Sequence, residues 1–416
     1  MRTIIFLLAL CSYAFASKWA VLVAGTTGIE NYRHQANNAH AYHTLISNGY
    51  KPEHIIVFAS SDVAESQLNP IPGTLYNHPG DDAIDYNEGL HIDYSGKDCS
   101  SENYLKVLMG DESLTGKKLQ TNSDDTIFLA YFGHGAGGFV DFPNGSSLFK
   151  DELMNTFDKM YSENKYNRIV YYMDAYQSKA MFTSLSMNKR IYAVTGGLRT
   201  ESSMAEYCGS LIHGKKFPLC VGDEFSVRWM EELDGHNLNN TLQQTYDIYK
   251  NLMSRSYMHQ WGDSSFKNVK IVEIFRGENY LGSSKLAIDI HKNNLRNSVD
   301  TYKNLYSNSI QSLSFYEELL KINTNKNLEQ MIKNKYEILK RSMYQIDEYM
   351  GSLIRILKHM NVIHFITPVD SVDNIQCYKE GIQILKHKFG TYDYMYKYYD
   401  IIGSLCQQYN ATTSFM

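Results

Sequence analysis

The 416-residue chain has no HExxH run and no CxxC pair. The commonest short signatures of zinc hydrolysis and of thiol redox exchange are therefore missing, and no metal or other cofactor is expected. Charge of one sign is missing too. The 40 Lys and Arg against 45 Asp and Glu leave a formal net charge of −5, which gives no electrostatic case for nucleic acid or a strongly acidic substrate. Past the first residues, no apolar run reaches the roughly 18 residues of a membrane span, and no internal repeat is evident.

What is present begins with a leader. Met1 to Ala16 has a basic start at Arg2, an apolar core and a small-residue site at Ala14-Phe-Ala16, the pattern of a secretory signal peptide. Removing Cys11 with it leaves Cys99, Cys208, Cys220, Cys377 and Cys406. Two close-set pairs and a leftover predict two disulfides and one thiol in an oxidising compartment. Sequons at Asn144, Asn239 and Asn410 agree with a glycosylated secretory protein.

The length allows two or three domains, and 43% hydrophobic residues is the content of a folded protein. Up to residue 275 strand-like runs (Trp19 to Ala24, Ile55 to Ala59, Thr126 to Phe132, Arg168 to Met173, Ile191 to Thr195, Val269 to Phe275) alternate with helical spacing (Asn37 to Ser47, Ser101 to Met109, Lys150 to Tyr161, Thr241 to Met253). This predicts an α/β fold with a mainly parallel sheet and helices on both faces. Residues 276–309 are polar and read as a linker. Beyond them Ile332, Tyr336, Leu339, Met343, Ile346, Met350, Leu353 and Leu357 keep a four-three spacing, the stripe of one long helix packed in a bundle. A bridge between Cys377 and Cys406 would staple an all-helical domain over residues 310–416.

Two strands end in chemistry. Thr126 to Phe132 runs into Gly133-His134-Gly135, and Arg168 to Met173 runs into Asp174-Ala-Tyr-Gln-Ser178. A His between glycines at a strand's C-terminal end faces the crevice where such sheets bind ligands. His40 and His43 read as surface or packing residues rather than ligands.

Several segments then resemble the legumains, the asparaginyl endopeptidases of peptidase family C13. Asn31-Tyr-Arg-His-Gln-Ala36 matches N-Y-R-H-Q-A, Asn69-Pro-Ile-Pro-Gly73 matches N-P-x-P-G, and His91 to Asp98 carries D-Y-x-G-x-D. Glu201-Ser-Ser203, Gly222 to Glu231 and Ser256 to Asp263 match its E-S-S, G-D-x-Y-S-V-x-W-M-E and S-H-V-M-Q-Y-G-D segments. The resemblance implies a caspase-like peptidase domain over residues 17–275, an activation-peptide-like linker over 276–309 and a prodomain-like helical tail. It implies a catalytic His134 oriented by Asn31, with Gly135 in the oxyanion hole. It further implies a substrate-binding pocket for Asn side chains made by Arg33, His34, Asp174, Ser202, Ser203 and Asp223, and a bridge from Cys208 to Cys220.

Four positions depart from the family, Asp174 and Gln177 within the nucleophile motif among them. Gly133 stands where legumains usually carry Asp, and Tyr176 stands where E-A-C-E/G-S has its nucleophile. A phenol, with an ordinary pKa of about 10, is bulkier than a thiolate and a poor nucleophile toward amides. The expectation is a pseudopeptidase of the secretory or endolysosomal pathway that keeps an Asn-directed pocket. Its expected partners are Asn-containing peptide segments, other proteases or inhibitors. The alternative is an active Asn-specific cysteine-type endopeptidase of lysosome or vacuole, which requires either that Tyr176 is a sequencing error or that an unexpected mechanism operates. A scaffold resembling the transamidase branch is a third reading, disfavoured by the two-cysteine helical tail and the lack of an anchor.

Overall fold

The computed structural model describes residues 16–197, 204–235, 238–253, 256–280, 308–359 and 374–408. All of the expected leader but Ala16, most of the expected linker and Asn410 lie outside them. Six strands build the central sheet: β1 (Lys18–Ala24), β2 (Ile55–Phe58), β3 (Thr126–Phe132), β4 (Arg168–Asp174), β5 (Ile191–Thr195) and β6 (His259–Gly262). Their order is β6–β5–β4–β3–β1–β2, with every neighbouring pair parallel except the edge strand β6 on β5. Six helices accompany them: α1 (Tyr32–Ser47), α2 (Ser101–Met109), α3 (Lys150–Ser162), α4 (Glu224–Asp234), α5 (Leu242–Leu252) and α6 (Ile271–Phe275).

Strand alternation sorts the side chains into two cores. Ala20, Leu22, Phe128, Ala130 and Tyr172 meet α1, α4, α5 and α6, through residues such as Leu45, Trp229, Leu242 and Phe275. Val21, Val23, Leu129 and Tyr171 meet α2 and α3 on the other face, through Tyr104, Val107, Leu153 and Phe157. The expected α/β sandwich, with helices on both faces, is therefore present.

Two local expectations are corrected. The run Val269 to Phe275 is not a strand. Its last five residues form α6, where Glu273 accepts from the backbone N–H of Lys270 at 3.2 Å and closes the first turn. A short continuous apolar run fits a buried helix as well as a buried strand. The sheet takes its last strand from β6 instead. Helix α1 also starts at Tyr32, five residues earlier than the apolar spacing predicts, because its first turns bury polar side chains, Arg33, His34 and Asn37 among them. His40 on the same helix is 2% exposed. It is no surface residue, and its ring stacks on Tyr86 at 4.2 Å.

The chain resumes in α7 (Asn308–Ile322), α8 (Lys326–His359), α9 (Ile375–Phe389) and α10 (Tyr396–Gln408). The predicted stripe lies on α8 and divides between two cores. Ile332 packs with α7 residues Phe315 and Leu319 against Ile29, Val63 and Leu68 of the α/β part. Ile346, Met350 and Leu357 pack with Tyr378, Ile382 and Ile402 of α9 and α10, and this cluster also takes in Ala136, Phe139 and Phe149. The helical part is thus seated on the α/β part at both ends of α8. Among the described residues no helix is long and apolar enough to cross a membrane.

Cys208 is bonded to Cys220 and Cys377 to Cys406, leaving Cys99 as a buried thiol. The second bridge spans 29 residues and ties α9 to α10. Closing a loop of that size contributes about 3–4 kcal/mol through chain entropy. Replacing both Cys377 and Cys406 by Ser is expected to lower the denaturation free energy by about that amount and to speed amide exchange in α9 and α10. An unchanged denaturation midpoint would show that the helical packing holds without the staple.

Candidate active site

The register of β3 on β4 sets the site. Phe132 pairs with Asp174, so the two strands end level and release their turns side by side. Gly133 N–H donates to the Asp174 carbonyl at 3.1 Å. A Cβ on Gly135 would come within 3.0 Å of the Tyr176 carbonyl oxygen. The His134 turn and the Tyr176 turn are in contact, and a side chain at position 135 would part them. Gln177, next in the chain, has a φ of 52°, a left-handed conformation that bends the strand sharply into the short helical turn Ser178–Met181. The stretch Gly133 to Gly138 has the GxGxxG spacing, but it leads into a hairpin, Gly135–Ala136 against Phe139–Asp141, and not into a helix. A dinucleotide cradle needs the helix N-terminus.

His134 is buried and well held. Its Nε2 lies 2.8 Å from Asn31 Oδ1 and 2.9 Å from Asp393 Oδ1. Asn31 donates its own Nδ2 to the Thr27 carbonyl at 2.9 Å, which turns its oxygen toward the ring. Both neighbours of Nε2 are acceptors, so Nε2 carries the proton and the second nitrogen, Nδ1, is the basic one when the ring is neutral. The His34 ring meets the His134 ring edge-on at 4.9 Å. Burial, Arg33 and His134 keep His34 well below the usual histidine pKa. His34 is therefore neutral, with Nδ1 2.9 Å from Thr26 Oγ1.

Behind these rings Arg33 and Asp223 form a buried ion pair, Nε to Oδ1 at 2.8 Å. Burial pushes the Asp223 carboxyl up, more than Arg33 and Asn37 hold it down. Asp174 also holds the adjoining helix. Its Oδ2 accepts from the Ser226 backbone N–H at 3.1 Å and the Ser226 hydroxyl at 2.5 Å, in the first turn of α4, where an acidic group complements the helix N-terminus. Ser202 and Ser203 lie outside the described residues. The expected residues thus form one connected group (Asn31, His134, His34, Arg33, Asp223), with Gly135 and Tyr176 meeting at its edge and Asp174 serving the adjoining helix.

The Tyr176 side chain is half-buried. Burial first, and then the Asp400 carboxylate, push its phenol above the ordinary value, against a smaller opposite effect of Gln177. The environment disfavours the phenolate, the form that would attack.

No sequence pattern pointed to the groups that close the site from outside. They come from the helical part. Asp393 lies over His134, and the Tyr396 ring is 5.2 Å from the His134 ring. Gln177 Nε2 donates to Asp400 Oδ2 at 3.1 Å. Tyr396 OH and Lys386 Nζ both donate to Asp141, on the hairpin after His134, while Lys379 reaches Asp151 and Glu152 at 3.0 and 2.9 Å. A cavity of about 250 Å³ remains beside Asp393, lined by Thr27, Glu30, Asn31 and Tyr316 among others.

Residues 18–278 match the sequence model of the Peptidase C13 family. The hemoglobinase of Schistosoma mansoni is 39% identical over 274 residues, covering 65% of this chain and 61% of that protein. The vacuolar-processing enzyme delta-isozyme of Arabidopsis thaliana is 30% identical over 415 residues, with 94% and 87% covered, and the legumain of Rattus norvegicus is 29% identical over 409 residues, with 94% and 88% covered. The matched region of the chain thus spans about three fifths of the length of the schistosome protein and most of the other two. Among solved structures, caspase-1 from Spodoptera frugiperda aligns over 59% of this chain and 86% of its own at 11% identity and a TM-score of 0.36, a likeness too weak to bear on the site. The family match runs from β1 to just past α6, well over half of the chain, and the chain therefore belongs to the peptidase C13 family.

Proposed function

We propose that this C13 protein is a pseudopeptidase of the secretory or endolysosomal pathway that keeps a pocket for Asn side chains in peptide segments. The observation that carries the reading is Tyr176, a half-buried phenol on the turn beside His134, at the position where the legumain motif has its cysteine. Loss of a nucleophile from such a unit removes on the order of 10⁶ in kcat. The His134–Asn31 contact and the buried Arg33–Asp223 pair support retention of the remaining frame. Asn would be recognised because a carboxamide offers both an acceptor and a donor, and a polar pocket disfavours apolar side chains that leave its groups unpaired. The leader-like first residues, the two disulfides and relatives named as vacuolar-processing enzymes support the compartment. In this reading the helical domain is the counterpart of a prodomain.

The purified protein is expected to turn over an Asn-containing fluorogenic peptide no faster than its His134→Ala variant. With only the attacking atom missing, Tyr176→Cys combined with Asp393→Ala, to loosen the cover, should regain partial turnover of an Asn peptide and none of the matched Gln peptide. The gain stays partial because Gly133, Asp174 and Gln177 also depart from the family pattern, and a misplacement of about 1 Å costs on the order of 10²-fold. Robust His134-dependent cleavage by the unmodified chain would overturn the reading and favour the active endopeptidase.

The cover should survive acid. Burial pushes the Asp393 carboxyl up, but His134, Arg33 and Ser312 together hold it below the ordinary carboxylate value. A carboxyl lowered in the folded state contributes stability above its unfolded pKa of about 3.9. That contribution is lost only as the pH falls through the lower, folded value. Between neutral pH and about 4.5 the Asp393 contact therefore persists. Acidified protein is expected to remain a single full-length band, with amides around residues 391–396 as protected from exchange as at neutral pH. Asp393→Ala should speed their exchange, and self-conversion to a shorter form would contradict the assignment.

A further inference from the structure

Buried polar side chains form a continuous line leading from the Arg33–Asp223 pair away from the cleft. Asp223 accepts from Arg33 Nε at 2.8 Å on one oxygen and from Asn37 Nδ2 at 2.7 Å on the other. Asn37 Oδ1 accepts from Asn77 Nδ2 at 2.8 Å, and the same amide donates to the Val221 carbonyl at 2.7 Å. Asn77 Oδ1 is 2.7 Å from His40 Nδ1. His40 Nε2 is 2.7 Å from Asp234 Oδ2, and the other Asp234 oxygen accepts from Thr44 Oγ1 at 2.8 Å. From Arg33 to His40 every member of the line is at most 2% exposed.

The protons in this line are dictated by its two ends. The Asp223 carboxylate accepts only, so Asn37 must present its NH₂ to it and its oxygen to Asn77. Asn77 then spends both donors on Asn37 and Val221, and its oxygen faces His40. Nδ1 of His40 must therefore carry a proton. Asp234, whose side chain keeps 21% of its surface in solvent, accepts on the far side, so Nε2 must carry one as well.

We infer that His40 is a buried imidazolium held by Asp234, and that it acts through Asn77 and Asn37 as a positioning residue for the Arg33–Asp223 pair. The inference rests on the proposed reading of that pair as the Asn pocket and deepens it: the geometry of the pocket is set by a charge that touches no substrate.

Loss of the His40 proton would be transmitted step by step. A neutral ring keeps its single N–H toward the Asp234 carboxylate, because charge-assisted hydrogen bonds are the stronger ones. Its Nδ1 lone pair then opposes the Asn77 oxygen. Rotating Asn77 to relieve this takes a donor from Asn37, and Asn37 is one of the two groups that fix Asp223. Unpaired polar groups at this depth are costly, so the disturbance has to travel to the pocket or to solvent.

The groups facing His40 are Asp234 and Glu231 from α4, His43 from its own helix, and His78 and Tyr86 from the loop before α2. Burial is the largest single influence and lowers its pKa, but Asp234, Asn77 and Glu231 together raise it above the ordinary value. A histidine raised in the folded state contributes stability fully below its unfolded pKa of about 6.5. That contribution is lost as pH rises through the folded value.

The test reads the pocket without any peptide. In the full-length protein, the exchange rate of the Arg33 Nε–H, followed by NMR of arginine-labelled material, reports its bond to Asp223. Asp234→Asn removes the charge that holds the second proton, and its NH₂ can donate to His40 Nε2, so a neutral ring keeps its N–H on Nδ1 toward Asn77. As pH rises from acid to above the His40 transition, Arg33 Nε–H in the unmodified protein should lose about tenfold more protection than in Asp234→Asn. His40→Leu should be fast at both pH values. Tyr166→Phe, which loses a part-buried hydrogen bond to the Lys189 carbonyl at the opposite end of β4, controls for general loosening and should leave the rate unchanged. A folded His40→Leu protein with unaltered Arg33 protection, or an equal loss on alkalinisation in Asp234→Asn and the unmodified protein, would overturn the inference. So would a Tyr166→Phe effect of equal size. Failure of the Asn peptide to bind would count against the proposed function alone, because the exchange readout involves no peptide.

Discussion

Everything at the site follows from two parallel strands ending level. The pairing of Phe132 with Asp174 places the turns after β3 and β4 in contact, and neither turn has room to move. Gly133 is tied to the Asp174 carbonyl, and Gly135 packs directly on the carbonyl of Tyr176. A slip of one residue would turn both strands over and carry His134 away from the crevice. The alternating faces prevent it, because Phe128 and Ala130 lie in one core while Leu129 and Tyr131 lie in the other. Core packing on both sides of the sheet thus fixes where the imidazole sits. The residue type at position 176 decides what sits next to it.

The second constraint is that α1 is polar where it is most buried. Arg33, His34, Asn37 and His40 occupy one helix and together contact Asp223, His134, Asn77 and Asp234. Burying such a set is tolerable only when each group is paired, since an unpaired charge or amide at this depth is expensive. The pairing leaves few alternative arrangements. Replacing a buried ion pair by apolar residues is often neutral for stability, so stability is a weak reason for this helix to carry one. Geometry is the better account, because each hydrogen bond fixes the orientation of the next group in line.

Much of this was legible in the sequence, though unevenly. The strands before His134 and Tyr176, the helices α2 and α3, and the long stripe of α8 follow from apolar spacing alone. His134 is placed at the crevice by its strand end, but Asn31, Arg33 and Asp223 only through family motifs, since spacing says nothing about which polar residues turn inward. For the same reason apolar spacing starts α1 too late, and of the surface or packing reading of His40 only packing holds. The α6 segment failed because Val269 to Phe275 is apolar without period. Asp393 left no sequence trace. An isolated aspartate in a tyrosine-rich tail acquires its meaning only when α9 and α10 fold back over His134, a contact between residues more than 250 positions apart.

The helical domain and the phenol are physically compatible in a way that a thiolate and the same cover would not be. His134 needs an acceptor at its protonated nitrogen, and Asp393 supplies a second one beside Asn31. Asp400 sits by Tyr176, where it raises the phenol further. A negative group there would oppose a thiolate in the same place, because like charges in a partly desolvated site repel strongly. A neutral phenol meets no such repulsion, and its partner Gln177 donates to the same Asp400. Lys386 and Tyr396 on Asp141, and Lys379 on Asp151 and Glu152, hold the cover from the other side. With a neutral phenol at position 176, that repulsion with Asp400 is absent. In the proposed pseudopeptidase reading, the cover over His134 and a neutral phenol beside it are mutually compatible.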